Sequence, residues 1–180
     1  MRLRMVGWCA LALAAVPPAA RTAALGVSLG LTFPGDRLSG GPGPLGAPLR
    51  PAPTIGLTAG PSPEGDDRPL SWNVTAEFAR FESDADPGLT ALCVPVQVGG
   101  IWRAVTVQEG TLEARLAGGV ALLAARSGVS ESMAVPMVSF GGGFRHPVHR
   151  LSAVLEFEAG ALLEQRPQAM FQVRLVLQTR

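Results

Sequence analysis

Between residues 135 and 180, three segments place apolar residues at every second position and gather the polar residues on the other parity, a pattern that few folds accept over such a length. The stretch divides into VPMVSFGGGFR, LSAVLEFEAGALL and AMFQVRLVLQ, joined by HPVHR and EQRPQ. In the middle segment Leu151, Ala153, Leu155, Phe157, Ala159, Ala161 and Leu163 are apolar, and Ser152, Glu156 and Glu158 lie on the other parity. In the last, Phe171, Val173, Leu175 and Leu177 oppose Gln172, Arg174 and Gln178. A period of two gives each set its own face of a strand, whereas a helix would scatter Glu156 and Glu158 around its surface. Segments of roughly ten to thirteen residues exceed the usual soluble strand. They are about as long as a tilted strand needs to be to cross a bilayer.

The same rule predicts five earlier strands, at 25–33, 54–60, 70–81, 90–104 and 112–124. With 135–145, 151–163 and 169–178 the count reaches eight. The breaks are 34–53, 61–69, 82–89, 105–110, 125–134, 146–149 and 164–168. The first of these, PGDRLSGGPGPLGAPLRPAP, is too rich in Pro and Gly for a helix or an interior strand. Pro95 lacks the N–H that a central strand position uses, so it is expected at a bulge or near a strand end.

Residues 1–24 have the form of a secretory signal. Arg2 and Arg4 precede a short apolar run, and small residues permit cleavage after Ala20 or Ala24. That run is too short to be a transmembrane helix. Its removal leaves Cys93 as the sole cysteine, which excludes an internal disulfide. It also removes two or three of the 15 basic residues, depending on the cleavage position, leaving a mildly acidic chain and arguing against a nucleic-acid partner.

An exported chain with an even number of long strands and apolar outer faces has one way to satisfy its backbone in hydrocarbon, which is closure. The expected fold is all-β: an eight-stranded antiparallel up-and-down transmembrane β-barrel over residues 25–180, in the cell outer membrane. With the N-terminus in the periplasm, 34–53, 82–89, 125–134 and 164–168 face outward. Trp72, Trp102 and Phe144 then fall near the inner rim, and Phe33, Phe81 and Phe171 near the outer rim, as interfacial belts. The inner faces carry Glu77, Arg103, Glu113, Arg115, Glu156, Glu158 and Arg174 among small residues such as Gly30, Gly56, Gly99 and Gly141. In a narrow lumen such charges must pair, and the planar fork of Arg can serve two carboxylates.

Other signals carry no chemistry. His146 and His149 flank a turn without further cysteine or histidine ligands, so no metal is expected. Ser71, Ser139 and Ser152 have no triad context. Gly141, Gly142 and Gly143 lie in a strand pattern and open no helix, so they form no phosphate loop. Glu156 and Glu158 share a face, but no cleft brings a substrate to them. No cofactor is expected.

The passages CVPVQVGGIWRAVTV, TLEARLAGGVALLA, MVSFGGGFRHPVHRLSAVLEFEAGALL and AMFQVRLVLQ resemble the small eight-stranded outer-membrane barrel domains of Gram-negative bacteria, the OmpA-like and opacity-like superfamily. Pro95, Gly118, Gly119, Gly141 to Gly143, Arg150, Leu151, Ser152 and Glu156 carry the likeness. The resemblance implies contact with outer-membrane lipid, insertion by the barrel-assembly machinery and a non-enzymatic role in anchoring, adhesion or envelope integrity. It leaves an extracellular partner open. The family's common terminal aromatic is replaced by Leu177-Gln178-Thr179-Arg180, which implies a divergent insertion signal. The competing expectation is an exported soluble β-sandwich or small barrel that binds a ligand or partner. Leu155, Phe157, Val173 and Leu175 would then lie in its core.

Overall fold

A computed structural model of the protein describes residues 23–35, 49–62, 69–83, 88–107, 109–127, 129–163 and 168–179. The strands are β1 (Ala23–Pro34), β2 (Ala52–Pro61), β3 (Leu70–Glu82), β4 (Thr90–Val107), β5 (Gly110–Ser127), β6 (Val129–Val148), β7 (Leu151–Leu162) and β8 (Gln168–Thr179). Each pairs antiparallel with its sequence neighbour, and β1 pairs with β8 to close the barrel. All eight expected strands are present, in an up-and-down order. Of the expected signal segment, Ala23 and Ala24 belong to β1, and the rest lies outside the described residues.

The register also sets the tilt. Facing partners lead from Ala24 through Gly60, Asn73, Gly99, Ala117, Ser139, Gly160 and Met170 to Pro34. One circuit thus returns to β1 ten residues from its start, as 34 less 24. Such a stagger makes the strands oblique to the axis, and with only eight strands the lumen is just wide enough for side chains to fill it.

The apolar parity points out. Leu116 is 69% exposed and Phe140 67%, and Leu29, Leu57, Phe157 and Leu175 are likewise exposed. The opposite parity is buried or half-buried over the middle of every strand. The soluble alternative fails here, because Leu155, Phe157 and Leu175 face away from the interior with no second layer over them among the described residues.

Several expectations need correction. The strands β5 and β6 continue to Ser127 and Val129, so most of 125–134 is paired hairpin. Likewise β4 and β5 extend to Val107↔Gly110, and β6 and β7 to Val148↔Leu151. Polar composition suggested breaks, but backbone pairing satisfies N–H and C=O groups whatever the side chains are. Pro95 lies in mid-strand, paired with Ala121 of β5. The β3–β4 ladder steps from Ala76↔Val96 to Ala79↔Cys93 without a change of register, passing over Glu77, Phe78, Val94 and Pro95. The missing proline N–H is absorbed as that interruption. Phe81 is interior, not part of a belt, because it shares the inward parity of Glu77 and Ala79. Trp102 and Phe144 are exposed on the wall, and Phe33 packs against Phe171 with ring centroids 6.2 Å apart.

Candidate functional site

The interior is layered. At the end facing the 34–53 connection, Leu49, Phe81, Cys93, Ala121, Met137 and Met170 belong to one apolar cluster. Leu49 reaches it because the chain re-enters the rim there, with a Leu49↔Ser83 bridge and the Arg50 N–H donating to the Glu82 carbonyl at 2.9 Å. Below this cap, towards the end that holds Ala23 and Thr179, the inward parity carries charge.

Arg174 of β8 is the hub. It is 3% exposed. Its Nε donates to Glu156 Oε2 at 2.6 Å and its Nη2 to Glu158 Oε2 at 2.6 Å, while Nη1 donates to Glu77 Oε1. The three carboxylates come from β7 and, across the lumen, β3. Arg115 of β5 donates through Nη1 to Glu158 Oε2 and through Nη2 to Thr75 Oγ1 at 3.0 Å. Glu158 is therefore held between two guanidinium groups. Gln172 adds a neutral link, donating to Glu77 Oε2 at 3.1 Å and to Thr32 Oγ1 at 3.0 Å.

A second group lies nearer the chain ends. Arg145 of β6 forms a two-pronged pair with Glu113, at 2.7 Å from Nε and 3.2 Å from Nη2, and its Nη1 donates to Gln178 Oε1 at 3.1 Å. Arg103 approaches the same carboxylate at 3.8 Å. All seven charged residues singled out in the sequence are inward, and each takes part in one of these two groups. Arg145 was missed, although its parity with Ser139, Gly141 and Gly143 marks it as inward. With it, four Arg face four Glu.

The register gives these side chains room by placing glycine opposite them. Glu77 faces Gly56, Glu158 faces Gly141, Glu156 faces Gly143 and Gln97 faces Gly119. A Cβ on Gly56 would fall 2.7 Å from Glu77 Cγ. Large against small across each rung lets a narrow lumen hold four guanidinium groups. Among the described residues the small cavities include one of about 10 Å³ beside Glu113, Arg115 and Glu156 and one of about 20 Å³ beside Asn73, Arg103, Arg145 and Gln178. Each is about the size of one water molecule.

A closed eight-stranded antiparallel barrel has known counterparts. The chain is similar to the crystal structure of Neisserial surface protein A (NspA), with a TM-score of 0.63 at 7% identity, over 87% of this chain and 95% of that one. It is also similar to a major outer membrane protein from Thermus thermophilus, with a TM-score of 0.61 at 10% identity, over 88% and 99%. The fold is that of the small outer-membrane barrels. No family model matches the sequence, and no curated protein matches it significantly. At these identities the likeness is one of architecture, and it agrees with the resemblance carried by Pro95, Gly118, Gly119 and the Gly141–Gly143 run.

In this outer-membrane-barrel fold the remaining sequence signals take structural places. Ser71, Ser139 and Ser152 are all buried and inward, and Ser139 accepts from Gln97 Nε2 at 2.9 Å. His146 lies near the end of β6, and His149 occupies the following turn with φ 52°. Among the described residues no group of three or more His, Cys, Asp or Glu side chains could hold a metal ion.

Proposed function

We propose that the chain is a non-enzymatic barrel of the Gram-negative outer membrane, structural or interaction-type, whose wall meets lipid. The carrying observation is the inversion of the usual order. Exposed Leu, Val and Phe encircle a closed sheet whose charged residues are buried. A soluble monomer seldom exposes an apolar patch beyond a few hundred Å², and here the apolar surface runs around the whole wall. Towards the 34–53 connection it gives way to Arg80 and Glu82, exposed and 3.9 Å apart, as expected where lipid tails give way to head groups.

On this reading residues 1–24 direct export, the barrel-assembly machinery inserts the mature chain, and the 34–53 end faces outward toward any extracellular partner. The paired charges hold the barrel in shape. The apolar cap over a charge-filled lumen supports a wall protein and not a pore. Cell fractionation tests the proposal. The protein is expected to remain with outer membranes after carbonate washing and to migrate faster on a gel unless boiled. Release into the soluble fraction with no heat-dependent shift would overturn it.

A further inference from the structure

The inward charges are not equally sealed. β7 enters the lumen at Leu151, which pairs with Thr179 beside the chain ends, so Glu156 and Glu158 lie at successive depths. The Glu156 side chain is 14% exposed and that of Glu158 is 4%. Nearer the chain ends Arg103 is 17% exposed, although Glu113 is covered by its clamp with Arg145. Accessible surface thus fades between Glu156 and Glu158. The two small cavities follow the same course. The one of about 20 Å³ lies beside Ser71, Arg103, Arg145 and Gln178, and the one of about 10 Å³ beside Arg115 and Glu158. Ile101 and Glu156 wall both. Each cavity is also lined by a residue with a buried polar atom that has no hydrogen-bond partner within the protein. That residue is Asn73, through Oδ1, in the larger and Arg115, through Nε, in the smaller. Burial of such an atom normally implies a partner, often an ordered water.

We propose that the lumen is a one-ended water vestibule, entered from the end that holds Ala23 and Thr179 and closed beyond Glu156. The chemistry of the walls selects the occupant. Arg103 and Arg145 stand beside Glu156 in the larger cavity, and Arg115 beside Glu113, Glu156 and Glu158 in the smaller. Walls of both signs oppose an ion of either charge and suit a neutral molecule that both donates and accepts. Volume agrees, since each cavity has room for about one or two waters and no larger solute. The two unpartnered atoms are served separately. A water in the larger cavity donates to Asn73 Oδ1, and another in the smaller accepts from Arg115 Nε. Deeper in, the polar groups satisfy one another. Gln97 donates to Ser139, and Gln172 links Glu77 to Thr32. The apolar cluster around Cys93 and Met137 then shuts the far end. The charge network is thereby divided into a wet layer at Arg103, Arg145 and Glu156 and a dry layer at Glu77 and Glu158. In the orientation proposed above the vestibule faces the periplasm, but the division into wet and dry layers does not depend on it.

A high-resolution crystal structure of the folded protein tests the vestibule. Separate solvent peaks are expected within hydrogen-bond distance of Asn73 Oδ1 and of Arg115 Nε, each in its own cavity. Further solvent should lead from the Asn73 peak out past Arg103, and none should lie among Cys93, Met137 and Met170. Asn73→Leu, similar in size but without the acceptor, should lose the first peak and keep the second. An empty cavity beside an ordered Asn73 or Arg115 overturns the proposal. Protein atoms sealing the Asn73 peak from the rim, or solvent within the apolar cluster, would overturn it equally. If Asn73→Leu fails to fold, the wild-type map decides alone.

Discussion

Gly30 of β1 lies directly across the ladder from Arg174 of β8. A Cβ at Gly30 would collide with the Val173 carbonyl oxygen and come 2.7 Å from Arg174 Cβ. The barrel seam and the hub of the charge network thus depend on the same missing methyl group. Gly30→Val is expected to push the seam apart or turn the guanidinium from its carboxylates, at a cost of at least the ~1–3 kcal/mol typical of overpacking. Heat modifiability should be lost at a lower temperature, and Gly100→Ala, facing open space, should leave it unchanged. An unaltered transition in Gly30→Val would show that the seam is looser than its geometry.

Removing the hub leaves its partners. Arg174→Leu would strand Glu77 and Glu156 without their guanidinium partner and leave Glu158 with Arg115 alone. Breaking a buried pair from one side costs about 3–5 kcal/mol, because the remaining charge stays buried. The urea midpoint of the folded barrel should fall sharply. Arg174→Lys should fall between, since it keeps the charge but cannot span three carboxylates. Equal stability of Leu and wild type would mean that the pairing contributes nothing.

The inward and outward faces could be read from parity alone, because a sheet that meets lipid cannot change sides without burying a strand's worth of polar groups. Partners could not. Glu77 and Arg174 sit on β3 and β8, strands that do not pair with each other, so their meeting depends on the stagger around the whole circuit. Arg145 was legible in principle, on the parity of Gly141 and Gly143, but lay beside the HPVHR break. The hairpin beyond Ala124 was not legible, since no side-chain pattern is needed where two backbones satisfy one another.

Cys93 provides a reporter of the cap. It is 3% exposed and belongs to the apolar cluster with Phe81, Met137 and Met170. A membrane-impermeant thiol reagent is expected to leave it unmodified in intact cells and in the folded, detergent-extracted protein, and to label it fully after boiling. Because the same cluster closes the lumen, the protein in a planar bilayer should give no resolved conductance steps. Rapid labelling of the folded protein, or steady channel openings, would place water where the geometry has packed side chains.

The start of β1 bears on processing. Ala23 pairs with Pro61 and Ala24 with Gly60, and Ala24 is 1% exposed. Cleavage after Ala24 would delete both rungs from the start of the β1–β2 ladder, next to where Leu25 N–H donates to Thr179 Oγ1 of β8 at 3.0 Å. Cleavage after Ala20 would leave them whole, with Arg21 and Thr22 ahead of the strand. Signal peptidase acts on the unfolded exported chain and reads only the local small-residue pattern, which both positions satisfy. Closure of the barrel should favour the variant of the chain that keeps its first rungs. The intact mass of the membrane-extracted protein is therefore expected to correspond to a chain beginning at Arg21. A mass beginning at Leu25 would mean that β1 and β2 hold together without the rungs of Ala23 and Ala24.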